Sequence, residues 1–379
     1  MKTLRVALTG GGTGGHIYPL IAVAEELERI SIDNKSIMEI RYFGTPGDYK
    51  TELEDAGIKI SGIISGKIRR YFSFLNLLDI PKILIGFIQA LVKLYSFMPD
   101  VLFSKGGTGA FPVVLAAWFY RIPVIIHESD AQPGLNNLFS AHFAKRIAVS
   151  FEKALDYFNP KKSAYVGLPV RKSLIENKPN MEMAKGELGF DPQQPLVVFL
   201  GGSQGSKKIN DMILLSLKNL LAETQVLHQT GNANFSEVEN TVKTTFPEVL
   251  SDTGGKSRYR LFPYLDLKGL RLALSGADII VARSGSNIFE IAAFSKPAIL
   301  IPLADSANNH QRLNAYEFSK AGAGIVIEET NLLPGIFVNQ IAETLKNKEL
   351  LQKMSQASGA FFKPDAAQVL AQEIIRLSK

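Results

Sequence analysis

Short apolar, β-branched runs alternate with helix-like stretches along the whole chain, and this rhythm leaves few folds open. In the first half the expected strands are Leu4–Thr9, Ile37–Phe43, Val101–Ser104, Val124–His127 and Arg146–Ser150. In the second half they are Leu196–Leu200, Val226–Gln229, Tyr259–Phe262, Ile279–Ala282, Ala298–Ile301 and Ile325–Ile327. Helical apolar spacing marks Pro19–Ile30, Phe111–Arg121, Lys208–Leu221, Asn287–Phe294 and Gln311–Lys320. Such alternation predicts parallel sheets with helices on both faces. The pattern restarts after Gly167-Leu168-Pro169, ahead of the polar Lys178-Pro179-Asn180. The expected architecture is therefore α/β, with two doubly wound domains facing across a cleft. Ligands of such sheets bind at the carboxyl ends of the strands, so the loops there are where chemistry belongs.

Composition narrows the function classes. With 379 residues, 46% hydrophobic and 21% charged, the chain has core material for two domains of roughly 150 to 200 residues. It contains no cysteine, which excludes disulfide scaffolds, thiolate metal sites and cysteine nucleophiles and suits a reducing compartment. The net charge of +6 is mild and suits either nucleic acid or anionic lipid. No basic stretch interleaved with stacking aromatics is present, so a nucleic-acid partner is not expected. The uncharged run from Val6 to Ala24 is broken by glycines and Pro19, and the apolar run Ile83–Val92 is half the length a bilayer requires. Neither a membrane span nor a signal peptide is expected.

Three glycine loops follow expected strands: Gly10-Gly11-Gly12-Thr13-Gly14-Gly15-His16, Gly106-Gly107-Thr108-Gly109 and Gly201-Gly202-Ser203-Gln204-Gly205-Ser206. Arg283-Ser284-Gly285-Ser286-Asn287 is a fourth candidate of the same kind. Glycines let backbone N–H groups approach an anion at a helix N-terminus, and Pro19 is placed to open the first helix. Any one loop can be a tight turn, but several at equivalent places in two domains point to a phosphate-bearing ligand. Gly10-x-Gly12-x-x-Gly15 formally fits a dinucleotide fingerprint. A nicotinamide site also needs an acid closing the second strand, whereas Tyr42-Phe43-Gly44-Thr45 has none.

At this point the residues carry a resemblance. Gly11-Gly12-Thr13-Gly14-Gly15-His16, His127-Glu128-Ser129-Asp130, Gly201-Gly202-Ser203-Gln204-Gly205, His228-Gln229-Thr230-Gly231 and Arg283-Ser284-Gly285 resemble the MurG family in order. Glu290-Ile291-Ala292-Ala293 and His310-Gln311-x-x-Asn314-Ala315 extend the match over nearly the whole chain. The resemblance implies a GT-B fold with an N-terminal acceptor and membrane-side domain (1–167), onto which a C-terminal helix (364–379) packs back. A UDP-GlcNAc-binding domain (168–363) completes it. The implied activity is inverting, metal-independent transfer of GlcNAc from UDP-GlcNAc to the C4 hydroxyl of MurNAc in undecaprenyl-pyrophosphoryl-MurNAc-pentapeptide (lipid I), which makes lipid II. No cofactor is implied, and no Asp-x-Asp pair or metal-ligand spacing occurs in the sequence.

Chemistry and resemblance together suggest roles. His16 stands at the start of a helix, whose dipole favours a neutral ring, and is the expected base; its alternative role is to cap the helix or bind the acceptor diphosphate. An in-line displacement needs no enzyme nucleophile. Ser203, Gln204 and the neighbouring N–H groups suit the leaving diphosphate, and Arg171 matches a family arginine near it. The family commonly has Asn where this chain has Leu168. The donor set is completed by Thr13, Gly14, Gly15, Asp130 (often Asn in the family), Glu290 on the ribose diol, and Gln311 with Asn314 on the sugar. Gly12, Gly106, Gly107, Thr108 and the Lys67, Arg69 and Arg70 segment are assigned to the acceptor and its diphosphate.

Between Lys59 and Lys105 the basic residues Lys59, Lys67, Arg69, Arg70, Lys82, Lys93 and Lys105 face only Asp79 and Asp100. Within that stretch Leu84, Ile85, Phe87, Ile88, Leu91 and Leu94 exceed one helical face. Either an ordinary buried helix or a shallow anchor on an anionic membrane surface fits this pattern, and the second places the protein peripherally at the cytoplasmic face of the cell membrane. Two rivals remain: another GT-B enzyme, such as a glycolipid transferase or UDP-sugar 2-epimerase, and a non-catalytic lipid-carrier or nucleotide-binding protein on this fold.

Overall fold

The computed structural model describes residues 3–66, 74–202, 205–249, 257–306 and 309–379. The chain divides into two compact units, Met1–Lys172 with Lys363–Lys379, and Ser173–Phe362. The first holds the strands β1 (Leu4–Thr9), β2 (Met38–Gly44), β3 (Lys59–Gly62), β4 (Val101–Ser104), β5 (Val124–Glu128), β6 (Arg146–Val149) and β7 (Ser163–Tyr165). They form one seven-stranded sheet in the order β3-β2-β1-β4-β5-β6-β7, with every pairing parallel. The second unit holds β8 (Leu196–Leu200), β9 (Gln225–Gln229), β10 (Tyr259–Phe262), β11 (Ile279–Ala282), β12 (Ala298–Leu300) and β13 (Gly324–Val326). These make a six-stranded parallel sheet in the order β10-β9-β8-β11-β12-β13. Central strands β4, β5, β8 and β11 are buried along their whole length, which is why they read as unbroken apolar runs.

In each sheet the direction of winding reverses once. The reversal falls between β1 and β4 in the first unit and between β8 and β11 in the second. Such switch points open a crevice at the carboxyl ends of the strands. All four candidate anion loops follow these four strands.

The first helix spans Gly14–Asp33 and begins five residues before Pro19, which therefore lies inside it rather than opening it. Thr13, in extended conformation, is the N-cap, and its carbonyl accepts from the N–H groups of His16 and Ile17 at 2.9 and 3.1 Å. Pro19 has no N–H to offer the Gly15 carbonyl one turn back. The helix persists because Ile17, Leu20, Ile21, Val23, Ala24 and Leu27 are buried against the sheet.

Residues Gly167–Lys172 belong to the first unit through local contacts. Gly167 N donates to the Val149 carbonyl at 3.1 Å, and Lys172 N to Glu25 Oε2 at 2.7 Å. The helix Ala366–Leu377 adds Leu370, Ala371 and Ile374 to the core around β1, and Glu373 on it pairs with Arg146 at 2.9 Å.

The helix Phe74–Phe97 has two apolar faces. Ala90, Leu94 and Phe97 are buried in the core between it and the sheet. Ile85, Ile88, Val92 and Tyr95 form an exposed stripe, with Ile88 60% and Val92 65% accessible. The spacing of three, four and three residues keeps that stripe on one side of the helix. No helix among the described residues is long and apolar enough to cross a membrane.

Candidate functional site

In the first unit, glycine brings two of the loops into direct contact. A Cβ at Gly11 would lie 2.3 Å from the Thr108 nitrogen, and one at Gly107 would lie 2.9 Å from His16 Nε2. Gly106 and Gly107 have φ of +74° and +79°, conformations that side chains resist. The Tyr42 hydroxyl, inside β2, donates to the Gly10 carbonyl at 2.5 Å and pins the first loop from below. Burial raises the Tyr42 phenol far above its ordinary range, so it remains a donor. His16 is the third residue of its helix, half-buried, with Nδ1 2.9 Å from the Thr13 hydroxyl. Thr13 and Gly12 are exposed beside it.

Behind these loops lies a buried polar cluster of Lys105, His127, Glu128 and Ser129. Lys105, one residue past β4, is 1% exposed. Its Nζ lies 2.6 Å from His127 Nδ1 and 2.5 Å from Ser129 Oγ. Because Nδ1 accepts there, His127 Nε2 carries the hydrogen and donates to the Gly167 carbonyl at 2.8 Å. Burial and the neighbouring ammonium push His127 well below its ordinary range, in keeping with a neutral ring. Glu128 accepts from the N–H groups of Ser129, Asp130 and Gly134 and from Asn137 Nδ2, all between 2.8 and 3.1 Å. Burial pushes the Glu128 carboxyl up, the Asp130 charge adding to it, and burial pushes the Lys105 ammonium down while Glu128 and Asp130 hold it up. Asn136 Nδ2 donates to the Gly107 carbonyl, so the helix Leu135–Ser140 grips the second glycine loop.

The second unit repeats the principle with other residues. Gly202 and Gly205 have φ of +77° and +75°, and a Cβ at Gly205 would lie 2.1 Å from the Thr230 carbonyl. Ser206 caps the helix Lys207–Glu223. Arg283, which opens the fourth candidate loop, is turned into the fold. It donates to Glu329 Oε1 at 2.5 Å, Ser206 Oγ at 2.8 Å and the Ile301 carbonyl at 3.0 Å. The Glu329 side chain is 2% exposed and also meets Lys208 at 3.1 Å. Sequence reasoning missed Glu329, which carries no signal beyond being one of two adjacent glutamates. His228 is a core residue between Asn210 and Tyr259, at 3.0 and 2.9 Å, and burial lowers it to about 3.

Asp130 is half-buried just past β5, and Gly14 and Gly15 open the first helix. The Arg171 guanidinium lies 3.9 Å above the Tyr18 ring, stacked on the first helix rather than solvated. Glu290 is half-buried in the first turn of the helix Asn287–Ala293. Asn314 is 1% exposed, with Nδ2 donating to the Ser284 carbonyl at 3.1 Å. Gln311 is half-exposed; its carbonyl accepts from Ser284 Oγ at 2.7 Å and its Oε1 from Leu303 N at 3.1 Å. Both residues thus meet at the Ser284 loop, Asn314 holding it from within. Ser203, Gln204, Lys67, Arg69 and Arg70 lie outside the described residues. Lys105, one of the basic residues expected in the membrane-facing stretch, is not at the surface: its ammonium is enclosed by His127 and Ser129.

Comparison with known proteins gives a consistent result. The glycosyltransferase family 28 N-terminal domain matches residues 6–149, and the glycosyltransferase family 28 C-terminal domain matches residues 196–370. A relative from Bacillus cereus is 36% identical over 349 residues, covering 91% of this chain and 93% of that protein. It is named UDP-N-acetylglucosamine–N-acetylmuramyl-(pentapeptide) pyrophosphoryl-undecaprenol N-acetylglucosamine transferase 2. A relative of the same name, without the numeral, from Geobacillus kaustophilus is 35% identical and covers 94% of both chains. Among solved structures, Acinetobacter baumannii MurG has a TM-score of 0.72 at 24% identity, covering 98% of this chain and 99% of its own. Staphylococcus aureus MnaA with UDP has a TM-score of 0.67 at 15% identity, covering 100% and 98%; both structures speak for the GT-B fold. With two domain matches in order and relatives aligned over nine-tenths of its length, the chain belongs to glycosyltransferase family 28 and, within it, to the MurG transferases.

Proposed function

We propose that this chain transfers GlcNAc from UDP-GlcNAc to the C4 hydroxyl of MurNAc in lipid I, making lipid II for peptidoglycan synthesis. With that go roles in cell shape and division. The observation that carries the chemical reading is His16, held between two glycine loops at the switch point of the first sheet. In the proposed reaction Nδ1–H of His16 donates to the Thr13 hydroxyl and Nε2 takes the C4 proton. The freed oxygen attacks the anomeric carbon from the side opposite UDP. The new C–O bond forms as the bond to the diphosphate breaks, so the configuration inverts. Backbone N–H groups of Gly12, Gly107 and Thr108 suit the acceptor diphosphate, whereas that of Gly106 is taken by Ser104 Oγ at 3.2 Å and shapes the loop instead. The Gly202–Gly205 loop, whose Gly205 N–H closes on the Gly202 carbonyl, suits the departing UDP.

The test offers the protein UDP-GlcNAc and a soluble lipid I analogue and looks for a β-1,4-linked disaccharide lipid. Binding of UDP-GlcNAc without that product favours a binding protein, and epimerised sugar nucleotide favours an epimerase. Donor assignments are separable by calorimetry. Glu290→Ala is expected to weaken UDP and UDP-GlcNAc alike, and Gln311→Ala to weaken UDP-GlcNAc more than UDP. Each loss is expected to be on the order of 1.5 to 3 kcal/mol for Glu290, as for other hydrogen bonds to a charged group, and smaller for neutral Gln311. Equal losses for both ligands in the Gln311 variant reject its sugar assignment.

The same reading places the protein peripherally on the cytoplasmic face of the membrane. Supporting it is the exposed stripe Ile85, Ile88, Val92 and Tyr95, together with exposed Trp118 and Phe119 on the neighbouring helix Ala110–Phe119. Flotation with anionic vesicles is expected to carry the protein up at low salt and progressively less as salt rises. Ile88→Glu with Val92→Glu is expected to leave it in solution. Equal flotation of that variant and wild type places the docking surface elsewhere.

A further inference from the structure

The ammonium of Lys105 meets His127 and Ser129, and through its own backbone and the His127 ring the residue is tied to two further chain segments. Lys105 itself leads into Gly106 and Gly107, and its backbone N–H donates to the Thr9 carbonyl, immediately before Gly10, at 2.9 Å. Ser129, which Nζ contacts, leads into Asp130. His127 relays the link to the Gly167 carbonyl past the end of β7. An apolar side chain would fill this volume at lower desolvation cost, since burying an ammonium adds little net stability even when it is paired. What the ammonium adds is direction, because each partner must sit at a fixed angle and distance from it.

We propose that Lys105 is a positioning residue for glycosyl transfer, setting the Asp130 loop against the Gly106–Gly107 loop through His127 and Ser129. The second of those loops forms the wall beside His16 Nε2. Asn137, itself buried, braces the same gap: its Nδ2 donates to the His127 carbonyl at 3.2 Å and to Glu128, and Gly106 packs on its amide. Lys105 reaches neither substrate. It acts by holding the surroundings of the base to the tolerance that proton transfer demands. This role rests on the transferase reading above.

The test compares wild type, Lys105→Met, Ser129→Ala and the double variant for kcat, for KM of UDP-GlcNAc and for thermal unfolding. Lys105→Met keeps the length of the side chain and is expected to lower kcat roughly 10- to 100-fold, with KM within about threefold of wild type. Ser129→Ala is expected to lower kcat less. The double variant is expected to be no slower than Lys105→Met, because both changes break one link. Unchanged kcat in both single variants, a change confined to KM, or losses that multiply in the double variant overturn the proposal. Should Lys105→Met not fold, Ser129→Ala decides: lowered kcat supports the link, and wild-type kcat refutes it. A wild type that binds UDP-GlcNAc yet forms no disaccharide refutes the transferase reading itself. An active wild type beside equally active variants refutes only the role of Lys105.

Discussion

His16→Ala is expected to slow transfer by roughly 10²-fold or more while leaving UDP-GlcNAc affinity nearly unchanged. The ring stands at the switch point of the first sheet, with Nδ1 on the Thr13 hydroxyl and Nε2 against Gly107. That contact holds the ring's rotamer, and the proposed tautomer, with Nδ1–H donating to the Thr13 hydroxyl, makes Nε2 the accepting nitrogen. Thr13→Val removes the orienting hydroxyl while keeping the shape, and is expected to give a smaller loss of the same kind. Steady-state turnover alongside calorimetric donor binding checks both variants. An unchanged kcat with a raised acceptor KM moves His16 from base to acceptor ligand.

How much of the fold could be read from the sequence depended on burial. Strands such as Val101–Ser104 and Ile279–Ala282 are covered on both faces and stand out as apolar runs. The two strands that escaped notice, Lys59–Gly62 and Ser163–Tyr165, are the outer edges of the seven-stranded sheet. Their residues are exposed or half-buried throughout, so nothing selects an apolar sequence there, and polar edges discourage pairing with other chains. The start of the first helix was misjudged for a related reason. Pro19 is an ordinary opening signal, but apolar burial on either side of it outweighs one lost hydrogen bond.

At the candidate site, glycine was the readable signal, because positive φ and close backbone approach leave few other residues possible. The charged residues behind the loops were not readable. Lys105 is separated from Ser129 by 24 positions and Arg283 from Glu329 by 46. Only the parallel topology, which gathers strand ends that are distant in sequence, makes either pair. A lysine or glutamate beside a loop ordinarily reads as solvated. Here, each has become an internal strut.

Glu329 therefore carries the second large expected effect. Glu329→Ala is expected to destabilise the second unit by about 3 to 5 kcal/mol, the usual cost of removing one member of a buried ion pair. The Arg283 guanidinium, with its side chain only 12% exposed, would lose its counter-charge and one of its three acceptors. The loss has a functional side, since Arg283 also holds Ser206, the cap of the helix that follows the third glycine loop. UDP affinity is therefore expected to fall with stability, in contrast to Glu290→Ala, where affinity falls alone. The dependence on pH follows from the same contacts. Burial by itself raises the Glu329 carboxyl, but hydrogen bonds from Arg283 and Lys208, with the Arg283 charge and the Ala304 N–H, hold it below the ordinary carboxylate range. A lowered carboxyl contributes stability that is present above its unfolded value of 4.5 and is lost as pH falls through the folded value. The gap between wild type and Glu329→Gln is therefore expected to be widest near neutrality and to narrow below pH 4.5. Thermal unfolding of both proteins across that range, with a parallel UDP titration near neutrality, measures it. A gap that stays constant into acid shows that the carboxylate charge is not what holds Arg283 in place.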